Sequence, residues 1–371
     1  MHTLRRGDVG SAVAEVRGML ASIGLLDNTA AGGRDVFDEQ TELAVRHFQQ
    51  RRGISADGTV GRETYEALTG AHWRLGDRVL AHEARQLLTG DDVAELQTKL
   101  IELGYHLPRA DGIFGPATAE ALRRFQREYG LVADGICGPA TLRALRQLAR
   151  RVVGGRPQLL RELVALADSG PSLLGKRVVL DAGHGGDDPG VVAEDVSEAD
   201  IVWDLTSRLE GRLSALGVQT WFTRGPNNGA SEEQRVELAN DVGADLLLSL
   251  HIDGSPSPLA NGIAGYYYGA ESSSTIGERL ADLALRELVA RTGMGNNRTH
   301  GKTWALLRRT RMPAVRVEIG YLTSADDRAR LCDPQFRDTI AEGLLVAVQR
   351  LYLPVSDDPP TGVMRIPAVA S

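Results

Sequence analysis

Two kinds of hydrophobic spacing divide the chain. Up to about residue 150, apolar residues recur every three or four positions, as in Val93, Leu96, Leu100 and Leu103, which is the spacing of an amphipathic helix. From residue 176 onward, short apolar runs alternate with longer amphipathic stretches. The runs predict strands over 177–181, 218–223, 245–251, 263–268 and 314–319. The stretches predict helices over 198–216, 231–242, 274–291 and 334–352. Such alternation predicts an α/β sandwich around a mainly parallel, twisted sheet. The first run breaks directly into Gly183, His184, Gly185 and Gly186, so a buried strand delivers a histidine onto a glycine-rich loop.

The helical part is an internal repeat. Val13-Ala14-Glu15-Val16 matches Val93-Ala94-Glu95-Leu96, Phe48-Gln49 matches Phe125-Gln126, and Asp57-Gly58 matches Asp134-Gly135. Gly61, Thr64 and Leu68 match Gly138, Thr141 and Leu145. Each copy reads as three helices, with Asp-Gly pairs at turns and Pro139 in a first helical turn. The copies resemble the three-helix peptidoglycan-binding domain found beside cell-wall hydrolases, and the FQ…DG..G..T...L pattern common to both carries that likeness. Most of the apolar residues in the pattern are core, so it supports the fold more strongly than the ligand.

The expected organisation is multidomain: two small all-α repeats followed by an α/β domain. The repeats occupy 4–70 and 89–150, joined by a linker helix over 71–88. A connection with a short helix spans 151–175, the α/β domain 176–353, and a Pro- and Asp-rich tail, expected to be disordered, 354–371.

Composition narrows the function classes. The 371 residues carry a net charge of −7, which argues against nucleic acid as a bulk electrostatic partner while leaving local basic patches open. No segment is long and apolar enough to span a membrane. The start, MHTLRRGDVG, lacks the apolar core of a secretory signal, so the expected location is cytoplasmic. Non-standard export or a mis-chosen start codon would instead place the protein at the cell wall. Cys137 and Cys332 fall in different predicted domains and read as reduced thiols.

Chemistry gathers where the predicted strands end. His184 follows the first strand, His251 closes an apolar strand, and Glu318 ends the last major strand; Glu198 opens a helix behind Ser197. In an open α/β sheet the carboxyl ends of the strands converge on one crevice. Two imidazoles and a carboxylate would give zinc three ligands and leave a fourth position for water. A second carboxylate can take that water's proton. Each residue also has a plainer reading. Buried histidines are commonly core, Glu198 suits a helix N-terminus, and Glu318 suits an ion pair. His300 reads as a loop histidine, Asp187 and Asp188 as loop-shaping residues. Arg308 and Arg309 read equally as a solvated face or as contacts for a substrate carboxylate.

Over about residues 175 to 353 the chain resembles the zinc-dependent N-acetylmuramoyl-L-alanine amidases of the Amidase_3 type. LDAGHGGDDPG is similar to that family's first-histidine motif, and Glu198 follows at a family-like distance. SLHID is similar to its second-histidine motif, and MPAVRVEIGYLTSADD to its closing segment. Arg224, Arg235 and Ala239-Asn240 fall on the segment before the histidine strand. The resemblance implies Zn2+ on His184, Glu198 and His251, with Glu318 as the catalytic glutamate. The implied reaction is hydrolysis of the amide between N-acetylmuramic acid and L-alanine, in peptidoglycan or muropeptide fragments that the repeats hold nearby.

Two details depart from that family's usual pattern: Glu198-Ala199 stands for a Glu-Lys pair, and Gly320-Tyr321 for Gly-Phe. The layout, with paired repeats and no signal, is similar to the CwlM type of actinobacterial amidase homologue. That branch implies an alternative, a catalytically weak or silent cytoplasmic regulator of peptidoglycan precursor synthesis. Its partners would be cell-wall biosynthesis proteins, and phosphorylation of Thr361 in the tail would create a docking site.

Overall fold

In the computed structural model the described residues are 3–26, 33, 35–83, 87–107, 109–149, 163–164, 166, 168–257, 259–269, 276–354 and 357–364. The chain divides into two compact units, Met1–Leu160 and Arg161–Ser371.

The first unit holds both repeats. The first copy consists of α1 (Ser11–Ser22), α2 (Glu39–Arg52) and α3 (Arg62–Ala71). The second consists of α4 (Asp91–Glu102), α5 (Pro116–Tyr129) and α6 (Pro139–Ala149), with a small antiparallel pair of β1 (Leu88–Thr89) and β2 (Ile113–Phe114). Their cores correspond. Val16, Leu20 and Phe48 close the first copy as Leu96, Leu100 and Phe125 close the second, all nearly or fully buried. Helix ends follow local rules: Asp38 caps α2 by accepting from the Thr41 amide, and Gly53 and Gly130 end α2 and α5 in the left-handed conformation.

The repeating unit proves to be half as long as the sequence comparison suggests. The Gln49 amide donates to Asp57, the Thr59 carbonyl and Thr64, and accepts from Gly58 N–H. Gln97 makes the same four bonds with Asp111, Ile113, Thr118 and Gly112, and Gln126 makes them with Asp134, Ile136, Thr141 and Gly135. Arg17 takes the equivalent place at the start, reaching the Val36 carbonyl, Asp38 and Thr41. A buried amide with all of these groups paired adds specificity without an unsatisfied polar atom.

Among the described residues of the linker helix expected over 71–88, no helix continues past Ala71, and residues 84–86 lie outside the described residues. Helix α3 ends at Ala71, and residues 72–83 run as turns and extended chain. Gly76 sits at φ +113, the Asp77 side chain accepts from Arg74 N–H, and Leu80 pairs with Cys137 as an isolated bridge. Buried Leu75 and Leu80 are five residues apart, a spacing that serves an extended segment better than one helix face. The short helix expected in the 151–175 connection falls largely outside the described residues, although Leu163, Val164, Leu166 and Asp168 are helical.

The second unit is built on a six-stranded sheet. Its strands are β3 (Arg177–Ala182), β6 (Gln219–Phe222), β7 (Leu246–Asp253), β8 (Ile263–Tyr268), β9 (Asn296–Lys302) and β10 (Ala314–Tyr321). Their order is β6-β3-β7-β10-β8-β9, with the first four mutually parallel and β8 antiparallel to β10. A small hairpin, β4 (Val192–Ala193) and β5 (Val196–Ser197), follows β3. Helices α7 (Glu198–Ala215), α9 (Ile276–Thr292) and α12 (Pro334–Tyr352) pack together. Helices α8 (Glu232–Asp241) and α10 (Ala305–Arg309) close another cluster over Val179, Leu247 and Ala314 of the sheet. Helix α11 (Ala325–Cys332) precedes α12. The parallel strands read as continuous apolar runs because both faces are covered.

Within the tail expected to be disordered over 354–371, residues 357–364 instead make defined contacts with α9 and α12, and residues 355–356 and 365–371 lie outside the described residues. Arg350, 2% exposed, pairs with Glu287 and Asp358 and donates to Thr361 Oγ1. Gly362 N–H donates to Glu287, and Arg291 donates to the Met364 carbonyl. A buried arginine–glutamate pair on α9 and α12 gives this polar segment partners that its composition does not show.

Candidate metal centre

His184 owes its place to a strand end that only glycine can finish. Strand β3 stops at Ala182, and a Cβ on Gly183 would lie 2.2 Å from the His251 ring. His184 then adopts φ +57, an uncommon conformation for a residue with a side chain. Two buried arginines hold it there. Arg224 donates to the carbonyls of Ala182, Gly183 and Ala199; Arg235 donates to those of Ala182 and His184. Arg235 also pairs with Asp181 at 2.5 Å, and Asp181 accepts from Thr223 and Ser249 as well. Burial pushes the Asp181 carboxyl up, but the Arg235 charge, the nearby His251 and the two hydroxyls outweigh it, and the group stays below the usual carboxylate range.

The loop orients the imidazole from the other side. His184 Nδ1 lies 2.7 Å from Asp188 Oδ2, leaving Nε2 to face Glu198 Oε2 at 3.2 Å. Asp188 thus does more than shape its loop: a carboxylate on one ring nitrogen fixes which nitrogen is offered to a metal. Gly190 is close behind, and a Cβ there would meet Glu198 at 2.5 Å.

Glu198 is the first residue of α7, capped by Ser197, and is 1% exposed. Its Oε1 meets His251 Nδ1 at 2.9 Å and accepts from Ile252 N–H, while its Oε2 accepts from Val191 N–H. Burial pushes this carboxyl up, but the hydrogen bonds from His184, His251 and the Ile252 amide prevail and hold it well below the usual range. The site therefore keeps an ionised carboxylate between two imidazoles. His251, 7% exposed on β7, is pushed toward its neutral form first by burial and then by the Arg316 charge. His184 is pulled the other way by its hydrogen bond to Glu198.

Donor atoms of His184, Glu198 and His251 all lie within 4.8 Å of one another, the one such group among the described residues. Two neutral-capable imidazoles and an ionised carboxylate suit a borderline divalent ion such as zinc. Glu318 lies beside them: on β10 it is in register with His251 on β7. Its Oε1 accepts two hydrogen bonds from Arg316, at 2.8 and 2.6 Å. Its Oε2 is buried and has no partner. An unsatisfied buried carboxylate oxygen is costly and calls for a partner such as a water or an ion. The donor set and this open oxygen both fit a metal hydrolase site.

The four residues singled out in the sequence are thus brought together. His300 is on the edge strand β9, its Nε2 2.7 Å from the Asn297 carbonyl, and 5.6 Å from the Tyr266 ring. Arg309 approaches Glu233 at 3.9 Å. Arg308 lies on α10, its Nε buried and without a hydrogen-bond partner. Thr361 is tied to Arg350, as above. Arg316 escaped sequence reasoning, although a charged residue two positions before Glu318 in an apolar strand was a visible signal.

A sequence profile described as N-acetylmuramoyl-L-alanine amidase matches residues 178–350, and one for a peptidoglycan binding domain matches 9–68 and 89–145. The N-acetylmuramoyl-L-alanine amidase CwlM of Mycobacterium tuberculosis is 50% identical over 97% of this chain and 92% of its own length. The amidase LytC of Bacillus subtilis is 28% identical over 46% of this chain and 34% of its own length. Among solved structures, the catalytic domain of CwlV, an N-acetylmuramoyl-L-alanine amidase from Bacillus (Paenibacillus) polymyxa var. colistinus, is 28% identical with a TM-score of 0.44; the match covers 47% of this chain and 96% of that one.

Proposed function

We propose, from the premise that this chain belongs to the N-acetylmuramoyl-L-alanine amidase family, that it cleaves its amide at the His184–Glu198–His251 centre with Glu318 moving the protons. The reaction itself comes with the family: hydrolysis of the bond between N-acetylmuramic acid and L-alanine, in a peptidoglycan substrate. The residue roles and the identity of the metal are the proposal.

His184, Glu198 and His251 would hold the ion, and zinc is the ion that this donor set suits. Zinc bound there supplies Lewis-acid chemistry, polarising an amide carbonyl and acidifying water. The chain does the rest. Asp188 fixes the His184 tautomer, and Arg224 and Arg235 keep the His184 loop closed on β3. Glu318 Oε2 accepts the proton of the attacking water as the new C–O bond forms. It then delivers that proton to the amide nitrogen as the C–N bond breaks and the L-alanyl amine leaves. The peptidoglycan-binding repeats supply local concentration of polymer. The observation that carries this reading is the buried, unpartnered Oε2 of Glu318 beside the three converged donors. The family match and the 50% identical amidase relative favour hydrolysis over the regulatory alternative with biosynthesis proteins as partners.

The test is direct. Zinc-loaded full-length protein and its His184→Ala variant are incubated with a defined muramyl peptide, and the free L-alanyl amine is followed by mass. Zinc near one per chain and cleavage that vanish together in the variant support the assignment. Cleavage that persists in zinc-free His184→Ala protein refutes it.

A further inference from the structure

Arg316 and Glu318 are two residues apart on β10, so the period of the strand puts both side chains on one face. Arg316 is in register with Ser249 on β7 and Tyr266 on β8; Glu318 is in register with His251 and Ala264. The Arg316 side chain is 29% exposed and the Glu318 side chain 6%, so the guanidinium lies nearer the opening and the carboxylate deeper. Nε and Nη2 both donate to the same carboxylate oxygen, Oε1. The guanidinium carbon lies 4.8 Å from the centre of the Trp304 ring, with Lys302 Nζ 5.4 Å from that ring. Trp304 also packs at 4.9 Å against Tyr266.

We propose that Arg316 is a positioning residue for the hydrolysis: it fastens Oε1 of Glu318, so that Oε2 is the single oxygen presented to the reacting groups. The inference rests on Glu318 being the proton carrier. A glutamate side chain has rotational freedom that costs free energy to remove at the moment of reaction. Here the ordering is done in advance, by a cation that is itself immobilised against an aromatic face. Arginine suits the task better than lysine because its planar, rigid fork presents adjacent donors and its flat face stacks on an indole. Both donors go to one oxygen rather than one to each. That asymmetry leaves Oε2 open, whereas a two-oxygen fork would occupy the base completely.

The experiment compares full-length, zinc-loaded protein with Arg316→Leu and Arg316→Lys on a soluble muramyl peptide. In Arg316→Leu, kcat falls roughly tenfold to a hundredfold, the scale of a misplaced catalytic group, with KM within about twofold. Arg316→Lys recovers part of the loss, and zinc content is the same in all three. Full activity in Arg316→Leu, a rise in KM with kcat unchanged, or equal impairment of the two variants overturns the proposal. Crystal structures of the unaltered protein and Arg316→Leu give a readout that needs no turnover. The Glu318 carboxylate is expected to leave its place in the variant, and an unmoved carboxylate overturns the proposal. If the unaltered zinc-loaded protein cleaves nothing, the amidase assignment of the site falls, while the crystallographic comparison still decides what Arg316 does.

Discussion

The repeats and the amidase unit both bury polar groups, but they complete them differently. Around Gln49, Gln97 and Gln126 each donor and acceptor of the amide finds a fixed partner within the same turn-and-helix segment. Around Glu318 one oxygen is saturated by Arg316 and the other is left open, and nearby His184 holds a backbone conformation unusual for its type. A closed node holds a fold together. An open node keeps a reactive group available at some cost in stability. On the proposed assignment of Glu318, the same residue chemistry serves structure in one unit and reaction in the other.

Breaking the open node should have the largest effect. Glu318→Gln keeps the shape and removes the proton acceptor, so kcat on a muramyl peptide should drop about 10²–10⁴-fold. The thermal midpoint should change little, because the weakened pair with partly exposed Arg316 is offset by removing charge from the unpartnered buried oxygen. Turnover assays and calorimetry on the same preparation check both halves. A variant that unfolds early while its remaining folded molecules turn over normally would move Glu318 into the structural class.

The next effect probes a closed node inside the amidase unit. Asp181, 1% exposed, is paired with Arg235 and two hydroxyls, and Asp181→Asn should destabilise this unit by about 3 kcal/mol, as a broken buried pair does. Its pH dependence has a definite sign. The folded-state pKa is lowered, so the contribution is complete above the unfolded value of about 3.9 and is lost as pH falls through and below it. Denaturant melts between pH 7 and 3, read by fluorescence of Trp203, Trp221 and Trp304, should give a shallower acid slope for Asp181→Asn than for the unaltered chain. Equal slopes would mean that Asp181 does not carry this linkage.

How much of this was readable in advance follows from the same contrast. His184, Glu198, His251 and Glu318 stood out because each follows or lies in an apolar strand or opens a helix, where a polar residue needs a reason. Strand β9, Asn-Asn-Arg-Thr-His-Gly-Lys, was invisible because an edge strand has too little burial to impose alternation. The half-length repeat was hidden because Arg17 stands where the other three nodes have glutamine, so the first member does not match by letter. The tail read as disordered because its anchors, Arg350 and Glu287, belong to distant helices. The segment after Ala71 looked helical by composition, but the turn at Gly76 and the pairing of Leu80 with Cys137 are decided by the fold.

A milder break tests the closed node of the repeats. Gln126→Ala leaves the Gly135 amide without its acceptor and takes one partner each from Asp134 and Thr141, which should cost about 2 kcal/mol. Hydrogen exchange at Gly135 should accelerate, while turnover of a soluble muramyl peptide stays the same. Loss of turnover with Gly135 still protected would show that the division between holding and reacting regions is wrong.

The smallest effect concerns the two thiols, one in each unit. Cys137 follows the Asp134-Gly135-Ile136 turn, its backbone bridged to Leu80, and is 4% exposed. Burial, with a smaller push from Asp92, raises its thiol to about 12, so it carries almost no thiolate at pH 8. Cys332 ends α11 and is exposed. Because the thiolate is the reactive form, a disulfide reagent at pH 8 should label one cysteine in the folded protein and both in denaturant. The Gln126→Ala variant sharpens the comparison. If the closed node keeps the turn before Cys137 shut, that variant should label Cys137 faster and leave the Cys332 rate unchanged. Equal rates at Cys137 in both proteins would show that the apolar core alone, and not the glutamine node, seals this end of the repeat.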